Sequence, residues 1–138
     1  MRVILFTSFW VLILDQITKY FLKDKTFFIT NFLKIDYVEN TGAAFGVLKG
    51  FNLLFIAVAF LVIFLILKYY KEIKDEKAYV HLAVGFLLGS VLGNLVDRIF
   101  LGFVRDFIDF SFWPTFNVAD TFSTVAVIIL VFYTLIKK

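Results

Sequence analysis

Residues 116–136 read FNVADTFSTVAVIILVFYTLI. At about 1.5 Å per helical residue the stretch is long enough to cross a ~30 Å hydrocarbon core. Asp120 is the one residue that resists this reading, because a carboxylate entering lipid is costly and something must offset the cost. Asn117 stands three residues before it, the spacing of a capping box in which Asn caps the helix and an acid at the third position reaches back. An acid there also complements the positive end of the helix dipole. The stretch is therefore expected to be a membrane helix that starts on Asn117 and carries Asp120 in its first turn. Capping explains why Asp120 is tolerated. It does not explain the second acidic cluster, VRDFID at 104–109, that the preceding connection delivers to the same level.

Three further apolar runs lie upstream, Val3–Phe21, Phe51–Leu67 and Tyr79–Val96. The chain has 138 residues of which 62% are hydrophobic, with 20 Phe and six Tyr. A soluble domain of this size has too much surface to hide that many apolar side chains. The fold expected is thus a membrane all-α protein, a four-transmembrane-helix bundle forming a single integral membrane domain over residues 1–138. The first run is read as a retained helix and not as a cleaved signal peptide, since no small-residue cleavage site follows and the run continues through DQITKYF.

Four spans put both termini on one side. Seven basic residues then fall on each side, so the count alone is undecided. The density is not: KYYKEIKDEKAY at 68–79 packs four Lys into a short loop, as cytoplasmic loops do. Both termini are therefore placed inside. The connection from Lys23 to Gly50 lies outside. Its LKIDY alternates apolar and polar, the period of a half-buried strand, and the Gly-rich TGAAFG follows. A small outer β platform is expected over about 27–48. Residues 98–115, aromatic and acidic, are expected to lie on the membrane surface as a short lid segment.

In this topology Asp15, Lys19, Asn94, Asp97, Arg98, Asp106, Asp109, Asn117 and Asp120 collect near the outer interface, and ionisable residues at such depth mark functional sites. Each also has a plain structural explanation. Asp15 and Lys19 are four apart and can neutralise each other. Gly85, Gly89 and Gly93 make a small-residue stripe for close helix packing, and Asp97 extends that stripe toward packed protein as a scaffold partner. Arg98 is either an interface anchor or a holder of a carbonyl or phosphate. With no Cys, thiolate chemistry is excluded. His81 stands sixteen residues from Asp97, or roughly 24 Å along a helix, too far to serve a nucleophile at the outer cluster. The single His builds no multi-His metal site. Paired carboxylates remain: two close acids share one proton, and one activates water while the other donates to a carbonyl. Residue types alone leave Asp97, Asp106 and Asp109 open as the partner of Asp120.

DQITK (15–19), NTGAAFG (40–46), GNLVDR (93–98), VRDF (104–107) and FNVAD (116–120), in that order, resemble the lipoprotein signal peptidases, or signal peptidase II. The resemblance implies a bacterial inner-membrane aspartyl protease that cuts diacylglyceryl-modified prolipoproteins just before the lipidated Cys. It implies Asp106 and Asp120 as the catalytic pair. It implies Asn40, Asn94, Arg98 and Asn117 around the substrate backbone, with Asp15, Lys19, Gly42 and Asp97 as structural support. The expected partners are the lipidated prolipoprotein and membrane lipid. No cofactor, metal or nucleic acid is expected, and the chain is expected to act as a monomer. Two other classes fit four short spans: a small transporter, whose site would lie near the midplane, and a non-enzymatic assembly subunit that docks through the Gly stripe.

Overall fold

The computed structural model describes residues 1–42 and 48–137. Among the described residues five helices and three strands follow one another: α1 Arg2–Phe21, β1 Thr26–Phe28, β2 Leu33–Asn40, α2 Asn52–Lys68, α3 Tyr70–Ile73, α4 Ala78–Phe100, β3 Val104–Phe110 and α5 Val118–Ile136. Among the described residues α1, α4 and α5 are long and apolar enough to cross a membrane, and α2 is a shorter apolar helix of 17 residues. Their outward faces carry exposed Phe6, Leu53, Phe60, Phe64, Phe132 and Ile136, the side chains a hydrocarbon solvent favours.

α4 is the centre of the bundle and packs against α1, α5 and α2. The glycine stripe explains how α1 comes so close. A Cβ at Gly89 would stand 2.6 Å from the Ser8 carbonyl oxygen, and one at Gly93 would stand 2.5 Å from Asp15 Oδ2. Neither neighbour is free to withdraw, so only glycine lets these backbones meet. Val11 packs against Gly89, and Ile4 of α1 forms a buried cluster with Val80 and Val84 of α4.

The strands form one antiparallel sheet in the order β1-β2-β3. β2 is the strand LKIDY foretells. Residues 98–115, read from the sequence as a surface lid segment, contain a third strand, β3. α4 runs one turn beyond its expected end, to Phe100, and Val104–Phe110 pairs along β2 with Asn40 opposite Val104 and Val38 opposite Asp106. The segment after β3 folds back on it: Phe116 and Ile108 exchange backbone hydrogen bonds of 2.8 and 3.0 Å. This pairing brings the start of α5 against β3. The platform therefore comprises 26–28, 33–40 and 104–110, not 27–48 alone. Residues 43–46, the AAFG of the NTGAAFG motif, lie outside the described residues.

At the opposite end from the sheet, Glu76 accepts hydrogen bonds from Tyr133 and Lys137, fastening the α3–α4 turn to the end of α5. His81 bonds the Ile73 carbonyl there at 2.8 Å, away from the acidic cluster.

Candidate active site

The capping box on α5 forms as its spacing predicts. Asn117 Oδ1 accepts from the Asp120 N–H at 2.9 Å, and the Asn117 N–H donates back to Asp120 Oδ2 at 3.2 Å. The same asparagine does more than cap. Its Nδ2 donates to Asp106 Oδ1 at 2.7 Å, so one fully buried residue bonds both carboxylates, Asp106 through its side chain and Asp120 through its backbone N–H. Asn40, diagonal to Asp106 across the β2–β3 ladder, donates to its other oxygen at 2.9 Å. Asn94 on α4 donates to Asp120 Oδ1, also at 2.9 Å. Asp106 is 2% exposed, whereas Asp120 is half-buried. Burial and the nearby charge of Asp120 push the Asp106 carboxyl up to about 7, against the bonds from Asn40 and Asn117 that pull it down.

Both acids line a cavity of about 680 Å³ at the sheet end of the bundle, together with Asn40, Gly42, Asn94 and Arg98. Its far wall is Phe110, Phe112, Trp113 and Phe116, and its floor along α5 carries Thr121, Ser123 and Thr124. Arg98 donates to the Gly42 carbonyl at 3.4 Å and lies 4.8 Å above the Phe55 ring. The Gly42 N–H in turn donates to Asn40 Oδ1 at 2.9 Å, which orients that amide toward Asp106. Asn40, Asn94 and Arg98 thus face the space a ligand would fill. Asn117 is wholly buried, its Nδ2 donating to Asp106 and Asn94 and its Oδ1 accepting from the Asp120 N–H.

A second layer stands behind the acids. Lys19 Nζ is 2.7 Å from Asp15 Oδ2, 3.3 Å from Asp97 Oδ2 and 2.9 Å from Asn94 Oδ1, with all three charged side chains sealed from solvent. Asp15 Oδ1 accepts from the Ala119 N–H at 2.9 Å, tying α1 to the first turn of α5. Asp97 is wholly buried in this network and is not among the residues that line the cavity. The network also includes two residues that the site reading left out, Gln16 and Arg105. Arg105 pairs with Asp97 at 2.6 Å and with Gln16 Oε1 at 2.8 Å. Gln16 completes the set with bonds to the Gly93 carbonyl and Asp97. The available signal was the strand itself: once 104–110 is a strand, Arg105 must point opposite to Asp106 and so back into the bundle. Asp109 lies on the outer side, 3.1 Å from Lys34.

The chain matches the family model for Signal peptidase (SPase) II over residues 7–136. It is 40% identical over 135 residues to the lipoprotein signal peptidase of Caldanaerobacter subterraneus, covering 93% of this chain and 92% of that one. To the lipoprotein signal peptidase of Halothermothrix orenii it is 38% identical over 129 residues, covering 89% and 88%. Among solved structures, one described as a bacterial membrane enzyme superposes with a TM-score of 0.89 at 30% identity, over 98% of this chain and 88% of that one. A chain matched over nearly its whole length, whose Asp106 and Asp120 line one cavity at the end of a helical bundle, belongs to the signal peptidase II family.

Proposed function

We propose that this signal peptidase II removes signal peptides from prolipoproteins as an aspartyl endopeptidase, with Asp106 and Asp120 as its catalytic pair, cutting before a diacylglyceryl-modified Cys. The observation that carries the reading is Asn117, whose side-chain amide donates to the Asp106 carboxylate and whose backbone N–H donates to the Asp120 carboxylate, both acids lining a large, partly aromatic cavity. Two acids held this way share one proton. One draws a proton from water as it attacks the scissile carbonyl, and the other donates to the carbonyl oxygen. As the C–N bond breaks, the acid that took the water proton gives it to the leaving nitrogen and the other takes a proton back from a hydroxyl of the tetrahedral intermediate, which restores the pair. The test is a gel-shift assay with a lipidated prolipoprotein, comparing wild type with the Asp106→Asn and Asp120→Asn variants.

Arg98 and Asn40 are proposed to hold the substrate backbone. Their polar ends face the cavity, and a peptide carbonyl left unpaired there costs about 1–3 kcal/mol. Arg98→Ala is expected to raise KM by roughly tenfold while the protein stays folded. Normal KM in a folded Arg98→Ala enzyme refutes the assignment.

For the membrane setting, we propose four spans, α2 included, with both termini and the Lys-rich 68–78 segment cytoplasmic and the site at the outer face of the bacterial inner membrane. A lipid-anchored Cys stays in the bilayer, so its scissile bond is pinned near the interface, where this cavity would lie. The aromatic segment 111–116 would cover the bound peptide, and the enzyme would act as a monomer. Reporter fusions at Lys71 are expected to read cytoplasmic, and an external signal there defeats the topology. The transporter reading places its site at the midplane and the assembly-subunit reading has no use for a paired acid. Family membership leaves neither with support.

A further inference from the structure

We propose that Arg105 is a positioning residue of this enzyme: its guanidinium, forked onto Asp97 and braced by Gln16, ties β3 to α4 and α1 and so sets where Asp106 stands relative to Asp120. The inference rests on the catalytic reading of that pair. Arg105 immediately precedes Asp106, and strand alternation sends the two side chains to opposite faces. Asp106 turns to the cavity, while Arg105 turns to the helix ends.

The backbone N–H and carbonyl, the Nε and the Nη2 of Arg105 all bond at this junction. Its N–H donates to Asp97 Oδ2 at 2.9 Å and its Nε to the same oxygen at 3.2 Å. Its Nη2 donates to Asp97 Oδ1 at 2.6 Å and to Gln16 Oε1 at 2.8 Å. Its carbonyl accepts from Asn117 Nδ2 at 3.5 Å, the same nitrogen that holds Asp106. Asp97 is held in turn by Lys19 and sits on α4, one turn beyond Asn94, which bonds Asp120. Both carboxylates are thus referenced to the same helix, Asp120 through Asn94 and Asp106 through Arg105 and Asp97.

The fork geometry matters. A planar guanidinium fixes direction as well as distance, whereas an ammonium supplies only a point charge. Catalytic groups must be held within about 0.5 Å of their productive positions, and a shift of about 1 Å costs on the order of 10²-fold. The β2–β3 ladder is irregular between Ile35 and Val38, next to the Val38–Asp106 pair, so strand pairing alone fixes the height of Asp106 loosely. Arg105 supplies what the ladder lacks.

The test is steady-state cleavage of a lipidated prolipoprotein by the full-length enzyme in detergent, with rates normalised to folded protein. Arg105→Met is expected to lower kcat by about 10- to 100-fold with KM within about twofold of wild type. Arg105→Lys, which keeps the charge and loses the fork, is expected to fall between the two. A folded Arg105→Met enzyme with wild-type kcat overturns the proposal, and so does a loss that vanishes on normalisation. If Arg105→Met does not fold, Gln16→Leu, which removes one partner of the fork, is expected to lower kcat severalfold at unchanged KM, and unchanged kcat overturns it. Asp106→Asn run in parallel separates the two readings: its full activity defeats the catalytic pair itself, whereas its inactivity beside a normal Arg105→Met defeats only the positioning role.

Discussion

Asp106→Asn and Asp120→Asn are each expected to abolish cleavage of lipidated prolipoprotein while the protein stays folded and binds its substrate. Asn preserves shape and much of the hydrogen bonding from Asn40, Asn94 and Asn117, but it cannot cycle a proton. General acid–base catalysis contributes about 10²–10⁴-fold, so each loss is expected in that range. The double variant is expected to be little worse than either single one, because the two carboxylates act as a unit. Asp109→Asn is the matched control. It lies three residues along the same strand, yet faces Lys34 on the outside of the sheet and touches neither acid. It is expected to retain most activity. Near-normal turnover by folded Asp106→Asn, with activity lost in Asp109→Asn or Asp97→Asn, would mean that Asp120 has a different partner.

The second large effect is on stability. Lys19→Met is expected to destabilise the bundle by about 3–5 kcal/mol, read from denaturant titration in detergent micelles. Lys19 is wholly buried between Asp15 and Asp97, and removing it leaves two carboxylates without their shared cation in a low dielectric. Gly93 adds to the effect, since it lets Asp15 approach α4 so closely that the carboxylate cannot swing aside. Lys34→Met, which breaks an ion pair at the sheet surface, is expected to leave the midpoint nearly unmoved. Equal effects from the two substitutions would show that the buried network contributes no more than a surface pair.

The elements readable from the residues were those with a single local cause. The start of α5 followed from Asn117 and Asp120 at capping-box spacing, and the α1–α4 contact from glycines four apart. β2 followed from alternation in LKIDY. β3 was not readable in the same way, because VRDFIDF does not alternate. Its Val104–Asp106–Ile108 face meets the cavity and α5, while its Arg105 face meets a buried charge network, so polar and apolar residues fall on both sides. The choice of Asp106 over Asp97 and Asp109 was likewise invisible to composition and spacing. It needed the family resemblance, and the geometry that separates the three acids comes from strand pairing between segments 66 residues apart. Asn117 was seen as a cap, but its second contact, to Asp106, depends on that same pairing.

Asp106 and Asp120 are expected to be coupled and to share one proton near neutral pH. Infrared difference spectroscopy of the free enzyme, recorded across pH for wild type and each Asn variant, tests it most directly. One protonated carboxyl is expected that titrates near pH 7, where burial and the charge of Asp120 hold Asp106. Below that pH the proton is bound, and it leaves as pH rises through this value. The band is expected to be missing in Asp106→Asn. In Asp120→Asn it is expected to titrate at lower pH, because the neighbouring charge is gone. A carboxyl band unaltered by Asp120→Asn, or no carboxyl titrating near neutrality in the wild-type enzyme, would contradict the shared-proton pair.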